Sequence, residues 1–263
     1  MKLVSLCPSN TEIVVALGCT DQLVGVDDWS DIPEVDGLPR VGSDLAANMD
    51  RVVALSPDLV LASLSVPGME RNITALQERG LPYIVLDPET LAGTLESIQK
   101  AGDAIGVSER ARQVVSELRE RIEAAAAKAV ATAPALYWEW WPKPLITPGR
   151  DSWITEMSRI AGGRNAFEDL PVRSQPVTDE DVLSRDPDVV MLCWCGTLQR
   201  KQSVEAVRKR AGWDELSAVR AGRVFTVPEA LYGRPGPRLV DGLEFLVDLL
   251  HGAYAQSTAP TAG

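Results

Sequence analysis

The sequence predicts an α/β protein of two Rossmann-like lobes with parallel sheets, joined by a single long rigid α-helix, with a ligand cleft between the lobes. Three observations carry this prediction. A helix–Pro-Asp–strand unit occurs twice, as DRVVALSPDLVLAS at 50–63 and DVLSRDPDVVMLCW at 181–194, about 130 residues apart. Strand-like and helix-like segments alternate in both halves, the pattern that yields parallel sheets covered by helices. Between the halves, 108–130 holds an unbroken amphipathic helix pattern. The chain therefore divides into an N-terminal α/β lobe at 1–107, a connecting helix at 108–131 and a C-terminal α/β lobe at 132–263. The tail from about 256, rich in Ser, Thr, Ala, Pro and Gly, reads as disordered.

In the first half, a strand at 3–6 runs into the loop Cys7-Pro8-Ser9-Asn10, with Asn10 or Thr11 placed to cap a helix at 12–17 and Gly18 to end it. A strand at 23–26 leads into the polar turn 27–31. The repeated unit then gives a helix near 49–55 and a strand at 59–62. Pro57 and Pro187 end the helical part of each copy, because proline lacks an amide donor and restrains the residue before it. The apolar runs that follow suit strands buried on both faces. A helix at 70–79 and a strand at 83–86 come next, and Thr90 caps a helix that Gly106 closes. Ser108 opens the long helix, with Ala111, Val114, Val115, Leu118, Ile122 and Ala125 on one face. At ~1.5 Å per residue it would span on the order of 35 Å. The second half reads as a strand at 135–138, a loop at 139–149 and a helix at 153–161. Further helices are expected from 178, at 203–209 and at 238–251, with strands at 189–194 and 224–227.

Composition narrows the function. A net charge of −11 argues against a nucleic-acid surface, which needs clustered Lys and Arg. No stretch approaches the ~18 apolar residues of a membrane span. The start, MKLVSLCPSN, lacks the apolar stretch and cleavage site of a signal peptide, so the chain as written reads as cytoplasmic or already shorn of an export signal. The four thiols, Cys7, Cys19, Cys193 and Cys195, are expected to be buried and free, with no zinc-type spacing.

Enzyme signatures are absent. The sole His, His251, lies on the last predicted helix, and no Gly-rich phosphate fingerprint occurs. Cys7 stands where a helix N-terminus could lower its pKa, but no base accompanies it. Asp27 and Asp28 read as solvated turn residues. No catalytic residue, metal ligand or catalytic cofactor is assigned. Seven Trp against three Phe is the informative imbalance. Trp29, Trp140, Trp141 and Trp194 all fall at the carboxyl ends of predicted strands, where open α/β sheets bind ligands. Their flat faces suit a large, partly apolar ligand such as a macrocycle, a siderophore or a sugar. Trp153 and Trp213, on helical stretches, read as core.

Seven segments carry a resemblance over essentially the whole chain: VSLCPSNTEIVVALG, LVGVDDWSDIP, LPRVGSDLAANMDRVVALSPDLVLAS, PGMERN, GRDSWITEMSRIAGGRNAF, VTDEDVLSRDPDVVML and GRPGPR. In this order they resemble the substrate-binding proteins of ABC importers for cobalamin, siderophores and haem, the cobalamin branch most closely. The resemblance implies a cleft formed by Pro8, Ser9, Trp29, the loop of Ser63, Leu64 and Ser65, then Trp140, Trp141, Trp194 and Tyr232. It implies Glu70 as a docking residue for an ABC permease, while Gly233 stands where the second lobe's docking glutamate would align. The implied ligand is a corrinoid, cobalamin first, bound by a monomer that is periplasmic or on the cell surface. The alternatives are a ferric siderophore or haem carrier, or a cytoplasmic corrinoid-handling protein on the same fold. An anionic siderophore would call on Arg150, Arg173 and Arg234.

Overall fold

A computed structural model describes residues 1–196 and 199–255. The backbone separates into two compact units, one of residues 1–119 with 234–237, the other of residues 120–233 with those from 238 onward. The predicted disordered tail lies outside the described residues.

The first unit contains β1 (Leu3–Ser5), α1 (Pro8–Ala16), β2 (Leu23–Val26), the short antiparallel pair β3 (Gly42–Ser43) and β4 (Ala46–Ala47), and α2 (Met49–Ala54). It continues with β5 (Leu59–Ser63), α3 (Glu70–Glu78), β6 (Tyr83–Leu86) and α4 (Leu91–Ile105). Its sheet is parallel, in the order β2-β1-β5-β6. Val4, Leu6, Val60 and Ala62 pack with Val41, Val52 and Leu76 into one core. Thr90 caps α4 as expected, its hydroxyl accepting from Gly93 N–H, and Gly106 ends it at φ 86°.

Helix α5 (Ser108–Ala126) stops short of the predicted 130, and the division between the units falls within it, after Arg119. At ~1.5 Å per residue it spans about 28 Å.

The second unit contains β7 (Ala135–Glu139), β8 (Trp141–Pro142), β9 (Leu145–Pro148), α6 (Trp153–Ile160), β10 (Arg164–Asn165), β11 (Ser174–Val177) and α7 (Asp179–Arg185). It continues with β12 (Val189–Leu192), α8 (Val204–Arg208), α9 (Ser217–Arg220), β13 (Val224–Thr226), α10 (Glu229–Tyr232) and α11 (Leu239–Ala255). Its main sheet is again parallel, β10-β7-β12-β13. The segment 139–149, expected as a loop, instead forms the β8–β9 hairpin, which pairs with β11 in an antiparallel sheet. Tyr137, Phe167, Val190, Leu192, Val207 and Trp213 form the core.

The two copies of the Pro-Asp unit match to atomic detail. Ser56 and Asp186, each just before the proline, both adopt left-handed backbone conformations, at φ 50° and 38°. The aspartate after the proline then grips the strand beside it. Asp58 Oδ2 accepts from Lys2 N–H at 2.7 Å just before β1, and Asp188 Oδ2 accepts from Ala135 N–H at 2.8 Å at the start of β7. In both copies the aspartate's own N–H donates back to the carbonyl of the same residue. The repeat is therefore a strand-registering clamp, made once per sheet.

Three local expectations need correction. Neither Asn10 nor Thr11 caps α1, because Pro8 starts the helix two to three residues earlier. Proline suits the first helical turn, where its missing N–H would have no partner. Asn10 and Thr11 are instead buried inside the helix: Asn10 Nδ2 donates to Ala62 O at 3.0 Å, and Thr11 Oγ1 donates to Ser5 Oγ at 2.8 Å. The strand expected over 189–194 ends at Leu192. Of the four free thiols, Cys7, Cys19 and Cys193 are buried, but Cys195 is exposed beyond the strand end.

Asn10 ties α1 to β5, so Asn10→Ala is expected to cost about 1 kcal/mol by removing this buried hydrogen bond to the Ala62 carbonyl. Urea unfolding of the variant measures this directly. A loss within experimental error would show that the carbonyl finds another donor.

Candidate functional site

In the first unit the carboxyl ends of β1, β2 and β5 carry the residues singled out from sequence. Pro8 and Ser9 open α1 and are buried, as is Ser63. Ser63 Oγ donates to Ser65 Oγ at 2.9 Å and accepts from Ser65 N–H at 3.1 Å, while Leu64 and Ser65 are half-buried. Trp29 is the prominent group, 52% exposed. Its loop is held from beneath. Asp27 Oδ2 accepts from Trp29 N–H at 2.7 Å, and Asp27 Oδ1 accepts from the Ser30 hydroxyl. Ser30 Oγ also lies 2.7 Å from Thr11 Oγ1, and Arg40 Nη1 donates to the carbonyls of Asp27 and Ser30 at 3.0 and 2.6 Å. The turn therefore fixes the Trp29 backbone and leaves its indole outside.

Asp27 was expected to be solvated; it is fully buried, and only Asp28 is exposed. Burial pushes the Asp27 carboxyl up to about 6, against the pull of the Ser30 and Trp29 hydrogen bonds. The folded protein then holds this proton more tightly than the unfolded chain. The resulting stabilisation is complete below about pH 4 and is lost as pH rises to about 6. Asp27→Asn should remove this dependence. The stability difference between wild type and variant should shift by on the order of 2 kcal/mol from pH 4 to 7, at about 1.4 kcal/mol per pKa unit. Urea titrations at several pH values measure it, and a pH-independent difference would place the Asp27 pKa near its unfolded value.

Cys7 also departs from expectation. It is the residue before α1, but burial raises its pKa to about 12, so the helix terminus does not yield a reactive thiolate.

In the second unit, Trp140 follows β7, Trp141 lies on β8 and Trp194 follows β12. Trp141 is 41% exposed, its Nε1 donating to Lys143 O at 3.1 Å. Trp140 is half-buried and tilted against Trp153, ring centroids 5.7 Å apart; its Nε1 finds no hydrogen-bond partner among the described residues. Trp194 is half-buried, its Nε1 donating to Glu139 Oε1 at 2.9 Å. Trp153 and Trp213 are buried. Tyr232 corrects the sequence reading: it is fully buried, with its ring 5.0 Å from Trp138 and its hydroxyl donating to Gly242 O at 2.7 Å. As it stands it offers a ligand no surface; it backs the sheet instead.

Two residues that sequence reasoning missed organise this face. Glu139, the last residue of β7, is fully buried, and Arg210 grips it in a bidentate pair at 2.5 and 2.8 Å. The guanidinium also lies 4.5 Å over the Trp213 ring. An acidic residue inside YWEWW was the available signal, but Arg210 lies 71 residues away in sequence. An open cavity of about 420 Å³ beside Arg210 is lined by Lys143, Leu145, Thr178 and Asp179, and none of the candidate tryptophans lines it.

The remaining expectations concern charge and docking. Arg234 pairs with Asp31 at 2.6 Å and lies 3.7 Å from Glu12, and Arg150 lies 3.3 Å from Asp151. Both side chains are thus engaged within the fold. Arg173 adjoins β11, its carbonyl accepting from Gly149 N–H. Glu70 is exposed in the first turn of α3, its carboxylate accepting from Gly68 N–H at 2.8 Å. Gly233 ends α10, and a Cβ placed there would come within 2.7 Å of Glu229 Oε1. Tyr83, Tyr137 and Tyr232 direct their hydroxyls to partners within the fold, and His251 lies against Lys128 O.

Comparison with known proteins agrees with this architecture. A family model described as "Periplasmic binding protein" matches residues 3–231. An ABC transporter substrate-binding lipoprotein of Bacillus subtilis is 33% identical over 258 residues, covering 95% of this chain and 80% of the relative. Among solved structures, the periplasmic vitamin B12-binding protein of Vibrio cholerae superposes with a TM-score of 0.79 at 27% identity, covering 96% of this chain and 97% of that one. The periplasmic heme-binding protein of Roseiflexus sp. RS-1 superposes with a TM-score of 0.83 at 25% identity, covering 96% and 98%.

Proposed function

We propose that this chain, which belongs to the periplasmic binding protein family of non-enzymatic substrate-binding proteins, binds a corrinoid, cobalamin first, and delivers it to an ABC importer outside the cytoplasmic membrane. The supporting observation is the exposure of Trp29 and Trp141, one in each unit, with Arg150 and Arg234 already engaged in the fold. Each exposed indole fits a ligand held by stacking, with hydrogen bonds to neutral amides. It fits an anionic siderophore poorly, since that ligand would require cations released from their present partners. The B12-binding relative of Vibrio cholerae supports the same choice. In this reading Glu70 meets the permease through charge complementarity, and Gly233 leaves the second unit without an equivalent at that position.

The test is titration of the purified protein with cyanocobalamin, cobinamide, haem and a ferric hydroxamate, followed by Trp fluorescence. Saturable 1:1 quenching by the corrinoids is the expected result, and no response to either corrinoid would overturn the proposal. A second reading, haem, draws on one observation: Cys195 is exposed beside Trp194 and could ligate haem iron, although its thiol is pushed up to about 12 and the iron would have to displace its proton. Haem binding with a Soret band that Cys195→Ser shifts would favour it.

A further inference from the structure

We infer that Glu139, locked by Arg210, is a positioning residue that sets the orientation of the Trp194 indole as a ligand-facing platform. The inference rests on the proposed role of Trp194 in binding and goes beyond it by naming what holds that side chain in place.

The backbone around Trp194 is already fixed. Cys193 N–H donates to Glu139 O at 2.9 Å, and Cys195 N–H donates to Trp140 O at 3.0 Å, continuing the β7–β12 pairing past the end of the sheet. Gln202, with its amide turned to suit both neighbours, donates to Leu192 O at 2.7 Å and accepts from Trp194 N–H at 3.1 Å. What remains free is rotation of the Trp194 side chain. Its Nε1–H donates to Glu139 Oε1, a fully buried carboxylate that also receives both terminal nitrogens of Arg210 and, at 3.3 Å, the Tyr137 hydroxyl. The bidentate fork permits one plane for the carboxylate. That plane in turn permits one direction for the indole N–H. A charged, buried acceptor is a costly device for structure alone, since an apolar pair of similar volume would serve as well or better. An indole held in one rotamer spares the ligand the entropy of ordering it.

Two double variants separate positioning from mere stability. Both E139Q/R210M and E139M/R210M remove the ion pair, but only the glutamine keeps an acceptor for the Trp194 indole. The expected result is that E139Q/R210M binds cyanocobalamin up to about tenfold more tightly than E139M/R210M. In a ¹⁵N–¹H spectrum, the Trp194 indole signal, identified by its loss in W194F, should shift and broaden in the methionine variant only. Equal affinities and unchanged indole signals in the two variants overturn the inference. If W194F binds cyanocobalamin as tightly as wild type, Trp194 is no contact and the inference falls, while the corrinoid reading stands. If wild type binds no corrinoid, that reading falls, and the indole signal alone decides whether Glu139 positions Trp194.

Discussion

Glu139→Gln is expected to destabilise the protein by about 3–5 kcal/mol, toward the lower end because Arg210 retains 19% exposure. The pair took its desolvation cost on folding, and its attraction repays that cost only while both charges are present. Removing the carboxylate leaves a guanidinium against Trp213 with only the weaker field of Asp179 to answer it. Arg210→Met should be similarly costly, because it leaves a fully buried carboxylate with two weaker donors, Trp194 and Tyr137. Removing both charges, as in E139Q/R210M, should cost less than the sum of Glu139→Gln and Arg210→Met, and less than either alone if the methionine packs. This non-additivity is the signature of a buried pair. The exposed Lys209–Glu205 pair is the contrast: Lys209→Ala should stay within about 1 kcal/mol of wild type. Urea unfolding of the four variants measures all of these effects. Single-variant losses as small as that of Lys209→Ala would mean that Arg210 turns outward to solvent when unpaired.

What could be read from sequence was whatever local chemistry dictates. The Pro-Asp unit was visible twice because proline punctuates a helix and β-branched runs extend after it. The structure adds the reason for the aspartate, which clamps the start of the neighbouring strand in both sheets, at Lys2 just before β1 and at Ala135 of β7. The places of Trp29 and Trp194 after strands were visible because strand ends can be placed from hydrophobic pattern, whereas strand β8 that carries Trp141 was not. Burial of polar residues was not visible. Asp27 looks solvated in DDWSD, and only the packing of Thr11 and Ser30 around it reveals a carboxyl that holds its proton to about pH 6. Asn10 and Thr11 match a capping pattern, but Pro8 at the first helical turn starts the helix before them. Tyr232, Pro8, Ser9 and Ser63 sit at the expected chain positions yet are buried, since placement at a strand end does not say which way a side chain turns. The Glu139–Arg210 pair joins residues 71 apart and leaves no local pattern at all.

Trp29→Ala and Trp141→Ala are each expected to weaken corrinoid binding by about 30- to 1,000-fold, equivalent to about 2–4 kcal/mol, the range for truncating an aromatic anchor. The same substitutions should change folding stability by no more than about 0.5 kcal/mol, because at 52% and 41% exposure neither indole contributes much to a core. That separation is the informative part. Trp140 is half-buried against Trp153, so Trp140→Ala should lower stability as well as affinity, and loss of binding there could not be assigned to ligand contact alone. Trp29 is the cleaner probe, because the backbone of its turn is held by Asp27 and Arg40 through contacts that the indole does not share. Calorimetric titration beside urea unfolding, on the same variants, measures both quantities. Unaltered affinity in both alanine variants would remove the aromatic surface from the binding site. A fall in stability parallel to the fall in affinity would assign the indoles to the scaffold. Loss of affinity alone would leave two large apolar side chains, kept in water by the folded protein, with a ligand as the reason.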